Sequence, residues 1–180
     1  PGTELRVVDL ATGEAVEPGG TGEIPVRGPS VMAGYLPEQA NAEAFAGEWY
    51  RTGDVGWLEP EGWVHLTDRA KEMIKVSGFQ VAPAEIEAVL HGHPSVVDCA
   101  VFGVPDPRRG EAPVAAVQVD ADQPVTAGEL MDLVAQGLAS YKGLRHVIFV
   151  DSVPRLPSGK VLRRQLRDEW SSPVDAGGGG

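Results

Sequence analysis

Three stretches of the chain combine glycine with charged side chains in ways that packing alone does not require. In Tyr50-Arg51-Thr52-Gly53-Asp54 a glycine lets the backbone turn sharply and displays a carboxylate beside it. An ionised aspartate only accepts hydrogen bonds, and its two oxygens suit a pair of neighbouring hydroxyl groups such as those of a ribose. The second stretch runs from Asp68-Arg69-Ala70-Lys71-Glu72 through Met73-Ile74-Lys75-Val76 to Ser77-Gly78-Phe79-Gln80-Val81. The third, Pro154-Arg155-Leu156-Pro157-Ser158-Gly159-Lys160-Val161-Leu162-Arg163-Arg164, sets a lysine at the tip of a Pro/Gly loop just before a helix. There an ammonium can reach into a cleft and be withdrawn again. Each stretch also has a plain structural reading when taken singly. Asp54 suits a tight turn, Lys75 suits an edge strand from which it snorkels, and Lys160 suits an exposed surface.

The elements that must position these residues fall into two parts. Residues 1–67 read as short strands separated by turns, among them Leu5–Val8, Glu23–Arg27 and Trp63–Leu66. The charged cluster at 68–72 suits a solvated connection and marks the boundary. Beyond it, Met73–Val76 reads as a strand and Pro83–Leu90 as a helix, with Pro83 in the first turn and Ile86, Val89 and Leu90 on one face. Strands are expected near 96–104 and 113–119. Thr126 and Glu129 have the spacing of a capping box, ahead of the stripe Leu130, Leu133, Val134 and Leu138. A strand at 147–150 and a short basic helix at about 161–170 complete an α+β pattern over 73–170. Residues 171–180, ending in four glycines, read as a flexible tail.

Composition narrows the classes. The 180 residues are 42% hydrophobic and 23% charged, as in a globular protein, and no apolar run approaches the roughly 20 residues that span a bilayer. Fifteen basic against 26 acidic residues give a formal charge of −11, which repels a nucleic-acid backbone. The charge is uneven, at −8 over residues 1–67 and +4 over 141–170, so a small anionic ligand has a basic home towards the C-terminus. The single cysteine, Cys99, lies in an apolar run and reads as buried strand filler in a reducing, cytoplasmic setting. His91-Gly92-His93 lacks a nearby third ligand, so no metal site is assigned. The start at Pro1, without a leader or an initiator methionine, suggests a piece of a larger protein.

The order and spacing of the three stretches, together with Gly22–Tyr35 and Gly103-Val104-Pro105-Asp106, resemble the adenylate-forming acyl-CoA synthetases. These include 4-coumarate CoA ligases, fatty-acyl CoA synthetases and firefly-type luciferases. The likeness runs from Pro1 to about Asp168. It implies a β-barrel-like end of the large AMP-binding domain at 1–67, a hinge at 68–72 and a compact α+β lid domain at 73–170. It further implies that Asp54 holds the ribose hydroxyls of ATP and of the acyl-adenylate, and that Arg69 approaches the ribose and phosphates. Lys71 falls at the hinge position and Lys160 at that of the adenylation lysine. Lys75 and Gln80 match positions implicated in thioester formation, Gly78 lines the pantetheine tunnel, and Phe79 is placed beside it. The basic residues Lys142, Arg145, Arg163, Arg164 and Arg167 are candidates for the phosphates of coenzyme A.

The expected reaction uses ATP, Mg2+ and coenzyme A to turn a carboxylic acid into its CoA thioester. The lysine neutralises charge on the α-phosphate in the first half-reaction and gives way to the thiol arm in the second. The Ser/Thr/Gly-rich phosphate loop of the family, which ends in Pro-Lys-Gly, is absent from this sequence. The chain therefore needs the N-terminal large domain as a partner and is expected to be inactive alone. Other readings consistent with the same residues are a complementing lid without activity, a piece of a peptide-synthetase adenylation domain, and a luciferase-like enzyme.

Overall fold

The computed structural model describes residues 2–170. The expected tail at 171–180 lies outside them. The chain divides into two compact units, one through Lys71 and the other from Glu72.

The first unit is built of short strands: β1 (Glu4–Leu5), β2 (Gly22–Glu23), β3 (Val26–Arg27), then a four-residue helix α1 (Asn41–Ala44), β4 (Phe45–Ala46), β5 (Trp49–Tyr50), β6 (Asp54–Leu58) and β7 (Val64–Arg69). They do not close into the barrel-like subdomain expected from the sequence. They form a four-stranded sheet in the order β1-β3-β5-β4 and a three-stranded sheet in the order β2-β6-β7. Two-residue strands carry too few ladder bonds to wrap a continuous sheet around a core. Val8, Ile24 and Val55 are buried here. The charged segment at 68–72 begins inside a strand, because Asp68 and Arg69 are the last residues of β7, and only Ala70–Glu72 form a short 3-10 turn.

The second unit holds β8 (Ile74–Val76), β9 (Phe79–Val81), α2 (Pro83–His91), β10 (Val96–Asp106), β11 (Gly110–Val119), α3 (Ala127–Gly137), β12 (His146–Phe149) and α4 (Arg163–Trp170). Its backbone is one long hairpin, β10 against β11, in register from Asp98↔Gln118 to Asp106↔Gly110. The sequence suggested that β10 ends before Pro105. It continues because β10 is an edge strand, where a proline interrupts no ladder on its free side. The other edge of β11 carries β8 at Gly110 and, in parallel, β12 at Val114–Val117.

Both faces of this sheet are covered, which explains why its strands read as continuous apolar runs. Cys99, Val101, Ala115 and Val117 face a core with Ile86 and Leu90 of α2 and Leu130 and Val134 of α3. The intervening residues Ala100, Phe102, Val114 and Ala116 face Leu166 of α4 and Val153. Full burial of a side chain such as Phe102 contributes about 1.5–3 kcal/mol. The local signals act as expected: Pro83 opens α2, and Thr126 and Glu129 make a complete capping box at the start of α3.

Candidate functional site

In the first unit the turn before β6 presents Asp54. The turn is held from beneath by Glu23, a carboxylate only 3% exposed. Its Oε2 accepts from Arg51 Nε (3.1 Å) and Nη2 (2.8 Å), and its Oε1 accepts from the backbone N–H of Gly53 (3.2 Å). Thr52 Oγ1 donates to the carbonyl of Ile24 (2.8 Å) and accepts from the N–H of Asp54 (3.0 Å). Asp54 and Arg69 face each other across the β6–β7 ladder, with Arg69 Nε 2.8 Å from Asp54 Oδ1. Arg69 Nη1 also donates to the carbonyl of Thr52 (3.3 Å). The two residues expected at a ribose are thus adjacent. Lys71 is the last residue of the first unit, in the turn that follows.

In the second unit, Lys75, Gly78, Phe79 and Gln80 share one hairpin. Lys75 and Gln80 are directly opposite in the β8–β9 register, so their side chains are neighbours on the face away from buried Ile74, Val76 and Val81. The two-residue turn, Ser77 (φ 50) and Gly78 (φ 87), has both residues left-handed, the geometry that matches the twist of a tight hairpin. A Cβ at Gly78 would meet nothing within 4 Å, so within this chain the glycine answers to backbone conformation rather than to crowding. Phe79 is exposed and stacks on Tyr141, with ring centroids 4.5 Å apart. The turn is tied to the tip of the long hairpin, Ser77 N–H donating to the Arg109 carbonyl (2.7 Å) and Lys75 N–H to Glu111 Oε2 (2.7 Å).

Lys160 lies elsewhere. Its loop folds back on itself through an Arg155↔Val161 bridge, with Leu156 N–H donating to the Lys160 carbonyl (2.8 Å) and Gly159 N–H to that of Leu156 (2.8 Å). Pro157 and left-handed Gly159 (φ 84) supply the dihedrals this tight turn demands. The loop is anchored by Arg155 to Asp98, near the start of β10. The Gly78 turn is anchored at the other end of the hairpin, to Arg109 and Glu111. Eight residue steps along β10 take the chain from Asp98 to Asp106, about 26 Å at the rise of an extended strand. The Lys160 ammonium is exposed and makes no hydrogen bond or ion pair among the described residues.

The basic patch expected from the sequence is largely engaged. Arg163 Nη2 donates to both carboxylate oxygens of Glu87 (2.7 and 3.0 Å) and its Nε to the Val101 carbonyl (3.0 Å), joining α4 to α2 and β10. Lys142 is paired with Glu85, and Arg164 lies 3.7 Å from Asp168. Of that patch Arg145 stands in a different setting, a cleft of about 370 Å³ lined by Asp106, Pro107, Arg108, Arg109 and Arg145 at the tip of the long hairpin. None of these three guanidinium groups forms an ion pair among the described residues. Arg108 and Arg109 were missed by the sequence reading, although the turn Pro105-Asp106-Pro107 before them was its one available signal. Asp106 shapes that turn: its Oδ1 accepts from the N–H groups of Arg108 (2.8 Å) and Arg109 (3.0 Å), which hold its carboxyl below the usual range.

Cys99 is buried, and that burial, followed by the nearby charges of Glu87 and Asp98, pushes its thiol up to about 12. It is packing, not a nucleophile. His93 Nδ1 accepts from Ser95 N–H (3.2 Å). Among the described residues no three His, Cys, Asp or Glu side chains converge as a metal site. No helix among them is long and apolar enough to cross a membrane.

Residues 85–160 match the family model of the AMP-binding enzyme C-terminal domain, and residues 1–36 that of the AMP-binding enzyme. The chain belongs to this family of AMP-binding, adenylate-forming enzymes. Among its relatives, the 4-coumarate–CoA ligase-like 9 protein of Oryza sativa subsp. japonica is 48% identical over 172 residues, which are 94% of this chain and 31% of the relative. The ATP-bound structure of MatB from Rhodopseudomonas palustris superposes with a TM-score of 0.88 at 35% identity, covering 97% of this chain and 35% of that one. The o-succinylbenzoate CoA synthetase MenE of Bacillus subtilis, solved with its acyl-adenylate intermediate OSB-AMP, gives a TM-score of 0.79 at 37% identity over 99% of this chain and 35% of that one. The chain thus spans about a third of the length of the proteins it matches.

Proposed function

We propose that the chain is part of an AMP-forming ligase that activates a carboxylic acid with ATP and passes the acyl group to coenzyme A. In the first half-reaction an oxygen of the acid attacks the α-phosphorus of ATP, the bond to the bridging oxygen breaks, and pyrophosphate leaves. In the second the sulfur of the coenzyme attacks the acyl carbon, AMP leaves, and the thiol proton passes to solvent.

The observation that carries this reading is the separation along β10. The Lys160 loop is fixed near Asp98, and the Gly78 turn with its cationic cleft is fixed near Asp106. Lys160 supplies a positive charge to the α-phosphate oxygens as the acid attacks, the kind of stabilisation that grows in the transition state. Asp54, braced by Glu23 and Arg51, accepts from the ribose hydroxyls, and Arg69 lies beside it towards the phosphates. At the far end of the ladder, Arg108, Arg109 and Arg145 suit the phosphates of coenzyme A, because each guanidinium offers a planar fork of donors. Lys75 and Gln80 sit next to the Gly78 turn where the thiol arm would pass, with Phe79 beside them. Presenting the two ends of one ladder in succession requires the second unit to turn, and Lys71, at the junction between the units, is the proposed hinge. The remaining two thirds of the protein is the proposed partner that supplies the acid pocket and the phosphate loop. The lone buried Cys99 accords with a cytoplasmic setting.

The test is acyl-adenylate formation by the full-length protein, followed as pyrophosphate release. Lys160→Ala should slow it by at least about 100-fold. A rate equal to that of the unsubstituted protein would refute the role given to Lys160.

A further inference from the structure

Arg155 makes three hydrogen bonds that connect two parts of the chain. Its Nε donates to Asp98 Oδ2 (3.0 Å) and its Nη2 to Asp98 Oδ1 (2.7 Å), a two-pronged contact with β10. Its remaining terminal nitrogen, Nη1, donates to the carbonyl of Gly159 (2.8 Å), the residue immediately before Lys160. Asp98 is itself fixed, since Oδ1 also accepts from the Cys99 backbone N–H (2.9 Å) and Cys99 is buried in the core. One planar group therefore ties the rigid sheet to the peptide that carries Lys160. The Asp98 and Arg155 side chains are 24% and 36% exposed, so water reaches the pair without dissolving its geometry.

We propose that the Asp98–Arg155 pair is a positioning device for Lys160, holding the loop at the angle from which its ammonium meets the developing charge, and that it acts in adenylation and not in thioester formation. The inference rests on the reading of Lys160 given above. A lysine side chain has four rotatable carbon–carbon bonds, so the direction of its ammonium depends on how firmly its Cα is held. The loop contributes only a few backbone bonds of its own. Without the clamp, the carbonyl of Gly159 loses its partner and the loop loses its one described side-chain anchor to β10. Misplacement by about 1 Å at a reacting centre can cost up to about 100-fold in rate. A lysine at position 155 keeps the charge but cannot make both the fork and the bond to Gly159, because an ammonium is a point donor.

The test compares Asp98→Asn, Arg155→Lys and Lys160→Ala in the full-length protein. Each is assayed for acyl-adenylate formation from acid and ATP, and for thioester formation from supplied acyl-adenylate and coenzyme A. The first two variants should lower the first rate by about 10- to 100-fold and change the second by less than about 2-fold. Amide exchange at Leu156 and Gly159 in the 180-residue chain should accelerate, with no change along β11. Wild-type adenylation in both variants, equal loss of both half-reactions, or unchanged exchange in the loop would overturn the proposal. So would a large fall in Tm for both, which would make the pair a prop for the fold. If Lys160→Ala itself adenylates normally, the reading of Lys160 fails and this inference falls with it. If Lys160→Ala is inactive while the clamp variants are fully active, the inference alone fails.

Discussion

Asp54 and Lys160 are both presented by tight glycine turns braced by a carboxylate–arginine pair, yet the two braces are built differently. Glu23 beneath the Asp54 turn is 3% exposed and bonds the backbone of the turn directly. Asp98 beside the Lys160 loop is 24% exposed, and the contact with the loop passes through the side chain of Arg155. A buried carboxylate is costly to leave unpaired, so the first arrangement fixes its turn as part of the fold. The second has a small share in stability and controls mainly direction. This difference suits the roles proposed for the two residues: a ribose contact by Asp54 that persists through both half-reactions, and a Lys160 that arrives for one and leaves for the other.

The comparison would be broken most visibly by removing the arginines. Arg51→Ala strands Glu23 with a single backbone donor. Because Arg51 is half in water, the cost should fall somewhat below that of a fully buried pair, at about 2–3 kcal/mol by urea denaturation of the 180-residue chain. Arg155→Ala should cost less than about 1 kcal/mol in the same assay. Equal losses would remove the distinction between a structural and a directional brace. Between these, Gly78→Ala places a side chain at φ 87 with nothing to clash against, a strain of about 1–2 kcal/mol.

The smallest effect lies in pH. Burial pushes the Asp98 carboxyl up, but the hydrogen bonds and charge of Arg155 outweigh it and hold the group below the usual carboxylate range. A depressed folded-state value gives a contribution that is complete above the unfolded value, near 4, and is lost as pH falls through the folded one. Asp98→Asn should therefore flatten part of the stability loss below about pH 4 and leave the slope near neutrality unchanged. Thermal unfolding across that range would detect it, and an unchanged acid limb would argue that the pair does not form in solution.

The parts of this architecture that were legible in the sequence are local. The capping box of α3 needs only Thr126 and Glu129, three residues apart, and the Lys160 turn needs only its Pro157 and Gly159. The braces were hidden because their partners are distant: Glu23 and Arg51 are 28 residues apart, Asp98 and Arg155 are 57, and Glu87 and Arg163 are 76. For the same reason the partners of the basic C-terminal segment were hidden. Its net charge is visible in composition, but Lys142 and Arg163 are each answered by a glutamate on α2. The pair Arg108 and Arg109 was overlooked because only the fold sets it beside Arg145. The barrel-like character of residues 1–67 rested on the family likeness, and the described strands there form two sheets without a closed barrel because most are two residues long.

The central claim is that opposite ends of the β10–β11 hairpin serve different half-reactions. Its most direct test sets Lys160→Ala against a combined Arg108→Ala, Arg109→Ala and Arg145→Ala variant in the full-length protein, each assayed for both steps. The account predicts a crossed result: the first loses adenylation by at least about 100-fold with thioester formation from supplied acyl-adenylate preserved, whereas the second keeps adenylation and raises the KM for coenzyme A by about 10-fold or more. Parallel losses in both steps for both variants would contradict it.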